Sequence, residues 1–330
     1  MHSEFRGRLK PRDLGACWNT LGKLLRRSRD ERQWLKDHPG AMDVLLEQTR
    51  ETLPQFDAQA VANTVHGLSA INVACGWTAG AAAWAELASR AAAVTESGNS
   101  QSLTNTAYAF AKLGYAAPEL LEAIAAAAVP RLNEFIPQGL ANTAWAFAKL
   151  QHDAPALFDT IGDAAISRLD DFEDQGLSTT AWAFATAGHR HQRFFEAVGE
   201  HINARGRIDS FRPQHLANLA WAFAMADVRC DALFRGPEFA DACRWMEARL
   251  IGDNRSLVQL NRWQLWRDEC CEAGHSWPAL PGPLRAACAE QAKWFGAHKA
   301  KLDAATPRAI STPSRGAIST PPPGDRSSKT

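Results

Sequence analysis

The sequence predicts an all-α fold: a right-handed α-solenoid of about six helix-turn-helix repeats, followed by a C-terminal helical cap. Three observations carry that expectation. One string of thirteen residues returns along the chain, as Gln101–Leu113 (QSLTNTAYAFAKL), Gln138–Leu150 (QGLANTAWAFAKL), Gln175–Ala187 (QGLSTTAWAFATA) and Gln214–Ala226 (QHLANLAWAFAMA), with a looser copy at Gln59–Ile71. Its leading glutamines keep one register, at spacings of 42, 37, 37 and 39 residues. Between the copies lies, each time, a short Gly- or Pro-bearing turn and a second helix-like stretch, such as Glu119–Leu132 or Ala156–Leu169. A period of roughly 37–42 residues holding two such stretches is the mark of a stacked helical array.

Taken in order, residues 1–8 are a basic N-terminal segment, and residues 1–36 hold ten Lys or Arg against four Asp or Glu. The start lacks the apolar core of a secretory signal. It matches an organelle transit peptide poorly, because a degenerate first unit begins at once: Pro11–Leu14 and Leu21–Leu24 align with Pro137–Leu140 and Phe147–Leu150. A longer native protein, with a leader upstream of this start, stays open. The array is expected over residues 9–254. Each unit is led in by Phe or a similar residue (Phe56, Phe135, Phe172, Phe211), followed by helix A, the turn and helix B. Pro118 and Pro155 suit the first turn of helix B, where a missing N–H has no partner to lose. Arg131, Arg168 and Arg205 recur near the end of helix B, where a cation suits the helix dipole. Glu238–Leu250 reads as the sixth helix B. Residues 255–299 read as the cap, with Ser256–Glu269 a divergent helix A, His275–Pro283 a turn and Gly282–Lys299 a last helix. Residues 300–330, with the duplicated AISTP and much Pro, Ser and Thr, are expected to be a disordered tail.

A helical wheel of helix A places Leu140, Ala144 and Phe147 on one side, toward helix B. Ala141 and Ala148 fall on one flank, Thr143 and Leu150 on the other. The remaining stripe is Gln138, Asn142, Ala146 and Lys149, with Trp145 at its edge. Small flanking residues allow close stacking, so the stripes of successive units are expected to line up along one surface.

Composition excludes several classes. Lys plus Arg total 36 and Asp plus Glu total 36, so no global field for a polyanion exists, although a local basic stripe is allowed. Seven Cys without a CxxC read as reduced thiols, not a disulfide framework or a zinc module. No apolar run is long enough for a membrane span, so no membrane partner is expected. His189-x-His191 lacks companions at metal-ligand spacing, and Cys270-Cys271 near His275 lacks a nucleophile–base arrangement. No phosphate loop and no VAIK, HRD or DFG string is present. The expectation is therefore no enzyme, no cofactor, no metal and no catalytic residue.

The Q-x-L-A-N-T-A-W-A-F-A-K-L string in units of about 38 residues resembles the octotricopeptide-repeat proteins of algal organelles. It is also similar to the helical-repeat arrays of FAST-kinase-like and apicomplexan organelle proteins. The likeness spans roughly residues 9–270. The stretch LVQLNRWQLWRDE … SWPALPGPLRAA looks like the segment that precedes a RAP domain in these families, but no RAP-like domain follows it, so the nuclease role of RAP-bearing relatives is not expected here. The resemblance implies binding of single-stranded organellar RNA, in mitochondrion or chloroplast. It further implies an effect on RNA stability, processing or translation, with other RNA-processing or translation factors as further partners.

Given that implication, the stripe supplies candidate RNA-binding residues. Asn63, Asn105, Asn142 and Asn218 share one position, which Thr179 holds in the remaining copy. An amide offers both donor and acceptor to a base edge, and repeat arrays can take about one base per unit. Lys112 and Lys149 lie where phosphate could be met. Gln101, Gln138, Gln175 and Gln214 join the set, and the position after them varies (Ala60, Ser102, Gly139, Gly176, His215), as a discriminating position should. Each has a structural reading beside this one. The glutamines could cap helices, the amides could form a ladder between units, the lysines could merely be solvated, and Tyr108, Trp145, Trp182 and Trp221 could pack between units rather than stack on bases. The other function class is a protein–protein scaffold, which near-neutral charge favours; an enzyme that has lost its catalytic domain is a third.

Overall fold

The structure is a computed structural model and describes residues 9–305. Among these it is all-α, with seventeen α-helices joined by turns and short 3₁₀ segments. Unit 1 is α1 (Pro11–Arg27), α2 (Arg29–Asp37) and α3 (Asp43–Thr52), and unit 2 is α4 (Ala58–Cys75) and α5 (Gly80–Val94). Unit 3 is α6 (Ser100–Leu113) and α7 (Pro118–Ala128), and unit 4 is α8 (Pro137–Lys149) and α9 (Pro155–Ile166). Unit 5 is α10 (Asp174–Thr186) and α11 (Gln192–Ala204). Unit 6 is α12 (Pro213–Ala226), α13 (Asp231–Phe234), α14 (Glu238–Trp245) and α15 (Glu247–Ile251), and the cap is α16 (Asn254–Glu272) with α17 (Gly282–Ala305). The basic segment 1–8 and the tail from 306 lie outside the described residues.

The A helices α1, α4, α6, α8, α10, α12 and α16 pack side by side in that order, far more closely than the B helices pack on one another. Alanine makes that possible. Ala107, Ala109, Ala111, Ala144, Ala146, Ala148, Ala181, Ala183, Ala220 and Ala222 are buried in the A row. A row of tight spacing backed by a row of looser spacing must curve, with the A row inside. At the N-terminal end the approach is closest: a Cβ on Gly67 of α4 would lie 2.3 Å from the Trp18 backbone of α1. The motif at that point reads His66-Gly67 where later units read Trp-Ala or Tyr-Ala.

The A helices from α4 to α12 stop in the same way. A residue just after it takes a left-handed conformation: Gly76, Gly114, Gln151, Gly188 and Asp227 all have positive φ. In four units the next amide then reaches back to the motif phenylalanine, as Tyr115 N–H to Phe110 C=O, His152 to Phe147, His189 to Phe184 and Val228 to Phe223, each within 3.1 Å. This satisfies carbonyls the helix leaves open. Those phenylalanines are fully buried, each contributing about 1.5–3 kcal/mol of burial. They do more than face their own helix B. Phe184 meets Phe194 of its own unit and Phe158 of the preceding one, and Phe223 meets Phe234 and Phe195 in the same way. The motif Phe therefore joins two B helices and sews neighbouring units together.

Several sequence-based expectations change. The arginines at the end of helix B divide between the expected helix-end role and a second one. Arg168 donates to the Phe135 carbonyl at 2.7 Å and Arg90 to the Phe56 carbonyl at 2.9 Å, so each ties the end of a unit to its own lead-in. Arg131 keeps the expected role, donating to Ala127 C=O in the last turn of α7 at 3.0 Å, and Arg205 pairs with Asp170 at 2.5 Å. The sixth helix B is broken into α13, α14 and α15, because Pro237 cannot continue α13 and the chain bends again at Met246. Unit 1 carries the extra helix α2. The last helix runs to Ala305, beyond the expected Lys299 and into the segment read as tail.

Candidate nucleic-acid interface

The strip of each A helix survives to the surface, with one change in its composition. In α8 Gln138 and Lys149 are exposed and Asn142 and Trp145 half-buried, whereas Ala146, expected on the strip, is fully buried. The helical wheel puts Trp145 at the edge. In the fold it holds the strip position itself, because residues i, i+4, i+7 and i+11 share a helix face. The same four positions recur as Gln101, Asn105, Tyr108 and Lys112 in α6, as Gln175, Thr179, Trp182 and Thr186 in α10, and as Gln214, Asn218, Trp221 and Met225 in α12. Register carries the strip into α4 (Gln59, Asn63, His66), into α1 (Arg12, Asn19, Lys23) and into α16 (Arg255, Gln259, Arg262).

From His66 of α4 to Gln259 of α16, many of these positions merge into one continuous groove. One stretch of it is lined by Arg26, His66, Gln101, Asn105, Tyr108, Gln138, Asn142 and Gln175, and the next by Trp145, Lys149, Thr179, Trp182, Asn218, Arg255 and Gln259. Sequence reasoning misses the contributions of α1 and α16, since neither carries the motif. The signal that could have found them is the phase of Arg12 and Lys23 against Gln59, and of Arg255 and Arg262 against Gln214.

The amides behave differently along the groove. Gln59 Nε2 donates to Asn63 Oδ1 at 3.1 Å within unit 2. At the other end Gln214 Nε2 donates to Asn218 Oδ1 and to Gln259 Oε1, while Gln259 Nε2 donates to Asn218 Oδ1, all within 2.9 Å. Between these ends Gln101, Asn105, Gln138, Asn142 and Gln175 line the groove, and none has a side-chain hydrogen bond to another described residue. The expected ladder thus forms only at the C-terminal end, and the middle amides keep their donors and acceptors available. No glutamine caps its helix: the caps are two residues earlier, with Asp57 accepting from Ala60 N–H and Asn99 from Ser102 N–H, both at 2.8 Å.

The variable position after the glutamine is not an exposed reading position. Ala60, Ser102 and Gly139 are buried, and a Cβ on Gly139 or Gly176 would sit against the lead-in Phe135 or Phe172. Variation there answers to packing. His215 occupies this position, off the strip, with Nδ1 buried and unpartnered among the described residues. Burial, and next the Arg212 cation, pulls its pKa down, against a smaller opposing effect of Asp174.

Charge is segregated by layer. The helices α4, α6, α8 and α12 contain no carboxylate, and Lys112 and Lys149 are their only Lys or Arg. Glu86, Glu119, Glu122, Asp159, Asp163, Glu196 and Glu200 all lie on the B helices. Zero net charge therefore conceals a groove free of acids at its strip positions and an acidic outer layer. Lys112 Nζ lies 5.8 Å from the Tyr108 ring centre. At the N-terminal end Arg26 and Lys23 flank His66, whose pKa is lowered first by burial and then by these cations. The histidines of the unit 5 turn are engaged elsewhere: His189 Nε2 is 2.8 Å from Asp159 Oδ1, and His191 lies 3.7 Å from Asp163. Burial raises the thiol pKa values of Cys17, Cys230, Cys243, Cys270 and Cys288, with Cys288 pushed up to about 12.

With that geometry in place, residues 38–170 match the model of the family described as RNA-editing substrate-binding complex 6 protein. The matched span runs from the end of unit 1 through unit 4, and so contains Gln101, Asn105, Gln138, Asn142 and Trp145. It points to an RNA-associated helical family, coarser than the octotricopeptide and FAST-kinase-like resemblance. No curated protein matches the chain. Among the described residues no helix is long and apolar enough to cross a membrane.

Proposed function

We propose that this protein binds single-stranded RNA without catalysis, in the groove formed by its A helices, as part of an RNA-editing or other RNA-processing assembly. The single observation that carries this reading is the run of amides from Gln101 to Gln175 that no other described residue engages, flanked by partly exposed aromatic rings and free of carboxylates at the strip positions. Those groups suit RNA chemistry: amides bond base edges, rings stack on base faces, and the cations Arg26, Lys112, Lys149 and Arg255 meet phosphate. The family match, whose description names an RNA-editing substrate-binding complex, supports the same reading. Binding would shield the strand or present it to other factors, affecting stability, processing or translation. The acidic B helices, on the opposite layer, are the surface for protein partners of such a complex. A mitochondrial or chloroplast location follows from the resemblance and belongs to the same proposal.

Crosslinking in cells followed by sequencing of the bound RNA tests it, together with anisotropy titrations of labelled homopolymer oligoribonucleotides at low salt. The expected result is saturable binding to single strands that weakens with salt. Absence of binding to all four homopolymers and to crosslinked candidates would overturn it, and the protein–protein scaffold would then be the better reading.

A further inference from the structure

The five aromatic residues of the strip do not form an even ladder. His66, Tyr108, Trp145, Trp182 and Trp221 occupy one position in five consecutive units. Tyr108 and Trp145 touch, with ring centroids 5.2 Å apart, and Trp182 and Trp221 lie stacked at 6.3 Å with an interplanar angle of 28°. Trp145 and Trp182 are neighbours of the same kind, one unit apart, yet their rings form no stacked, tilted or edge-on pair. Both instead line the open part of the groove, together with Asn142, Lys149, Gln175 and Thr179. Four of the five rings pair off on either side of a gap, and His66 pairs with none of them. At that gap the repeated asparagine is replaced by the shorter Thr179, which leaves the amide position open on one side.

We propose that the gap between Trp145 and Trp182 is a slot that receives one unstacked nucleobase of the bound RNA, with an indole against the base. The inference rests on the RNA reading above and names the place within the groove where a strand is anchored. A base gives up stacking on its neighbours when it is splayed out, and a planar indole replaces that contact for any base, so the slot serves as an anchor rather than a reader. The groups around it supply identity. Asn142 and Gln175 have amides unengaged by other described residues, and Thr179 offers a hydroxyl that both donates and accepts. Lys149, one turn beyond Trp145 on the same helix face, is placed for the phosphate of the same nucleotide. The other two pairs present only the outer edge of a stack already closed by its own partner, so they are weaker sites.

The test uses the full chain with oligoribonucleotides of each homopolymer. Trp145→Leu and Trp182→Leu keep an apolar side chain at the half-buried position but remove the indole. Each is expected to weaken binding by at least about fivefold, with a cooperative melting transition retained and lowered only by the lost contact to Tyr108 or Trp221. Trp245→Leu, at an 83% exposed tryptophan outside the groove, should leave binding unchanged. Unchanged affinity in both groove variants would overturn the slot while leaving RNA binding intact. Failure of the unaltered protein to bind any single strand would instead overturn the reading on which the slot rests. Should the leucine variants not fold, the unaltered protein decides with RNA carrying 2-aminopurine at successive positions. Quenching at one position beyond that of the free strand supports the slot, and no position quenched by the protein overturns it.

Discussion

Units 4 and 6 carry the same amide pair and use it in opposite ways. In unit 6 Gln214 and Asn218 close a three-membered network with Gln259 of the cap, held by three hydrogen bonds inside the protein. In unit 4 Gln138 and Asn142 point into the same groove with no described partner. The residue types are identical and the helices nearly so. What differs is the neighbour: α16 presents a third amide where α10 presents Thr179. The same contrast holds at the other end, where α1 and α4 are locked by the close contact at Gly67 and Gln59 is tied to Asn63. The ends of the array hold its shape, and the middle is left with hydrogen-bonding capacity that no other described residue takes up.

That division can be broken most forcefully at the N-terminal end. Gly67→Ala forces a Cβ onto the Trp18 backbone, which cannot yield as a side-chain tip would. A loss of about 1–3 kcal/mol is expected, seen as a lower denaturation midpoint. A neutral outcome would mean that α1 is not a fixed end of the array. Next comes the amide pair itself. Asn218→Ala removes the acceptor that Gln214 and Gln259 share, leaving Gln214 only its bond to Gln259, and should cost about 1 kcal/mol in stability, with a smaller effect on RNA. Asn142→Ala should leave the melting curve unchanged and weaken RNA binding roughly three- to tenfold. If both variants lost stability equally, the middle amides would be structural after all.

Smaller effects sharpen the picture. Lys112→Glu with Lys149→Glu should leave the melting temperature unaltered and reduce the salt slope of RNA affinity, by roughly 0.7 for each phosphate that a lysine no longer neutralises. An unchanged slope would remove both lysines from the interface. The last prediction concerns pH. Burial and the nearby Arg26 and Lys23 hold the His66 pKa below its usual 6.5 in the folded protein. The unfolded chain therefore binds the proton more readily, and stability attributable to His66 falls as pH drops below about 6.5. A phosphate placed beside His66 would favour its charged form, so RNA affinity should rise over that same pH interval. Titrations with His66→Asn should lose this rise; if they do not, the strand does not reach unit 2.

Much of this is readable from the sequence, because a repeat states its own register. The motif strings alone place the A helices α6, α8, α10 and α12 to within a residue or two, and they put Gln138, Asn142 and Lys149 on one face. The degenerate unit 1 is visible from Pro11–Leu14 and Leu21–Leu24. The misses have physical causes. The wheel assigns Ala146 to the exposed strip and Trp145 to its edge, since a wheel of one helix cannot see how far neighbouring helices rotate to bury alanine. The variable position at Ala60, Ser102, Gly139 and His215 resembles a reader, but where it is glycine it faces the lead-in aromatic, which sits in extended chain before the helix and so appears on no wheel. Arg168 resembles a dipole partner because its true acceptor, the Phe135 carbonyl, is distant in sequence. The segregation of carboxylates onto the B helices can be read directly once the two helix classes are separated; total charge hides it.

The alanines between the A helices have a consequence for selectivity. Buried methyl groups at Ala141, Ala148 and their equivalents set the step from one unit to the next, and no ligand reaches them. A nucleotide chain has its own step, so recognition depends on the two lengths keeping phase over several units. Enlarging one of these alanines would shift every downstream slot against the strand without altering a single residue that faces it. If the groove takes a strand as proposed, the array would measure distance along that strand as well as its composition, and the gauge would lie in the least conspicuous residues of the fold.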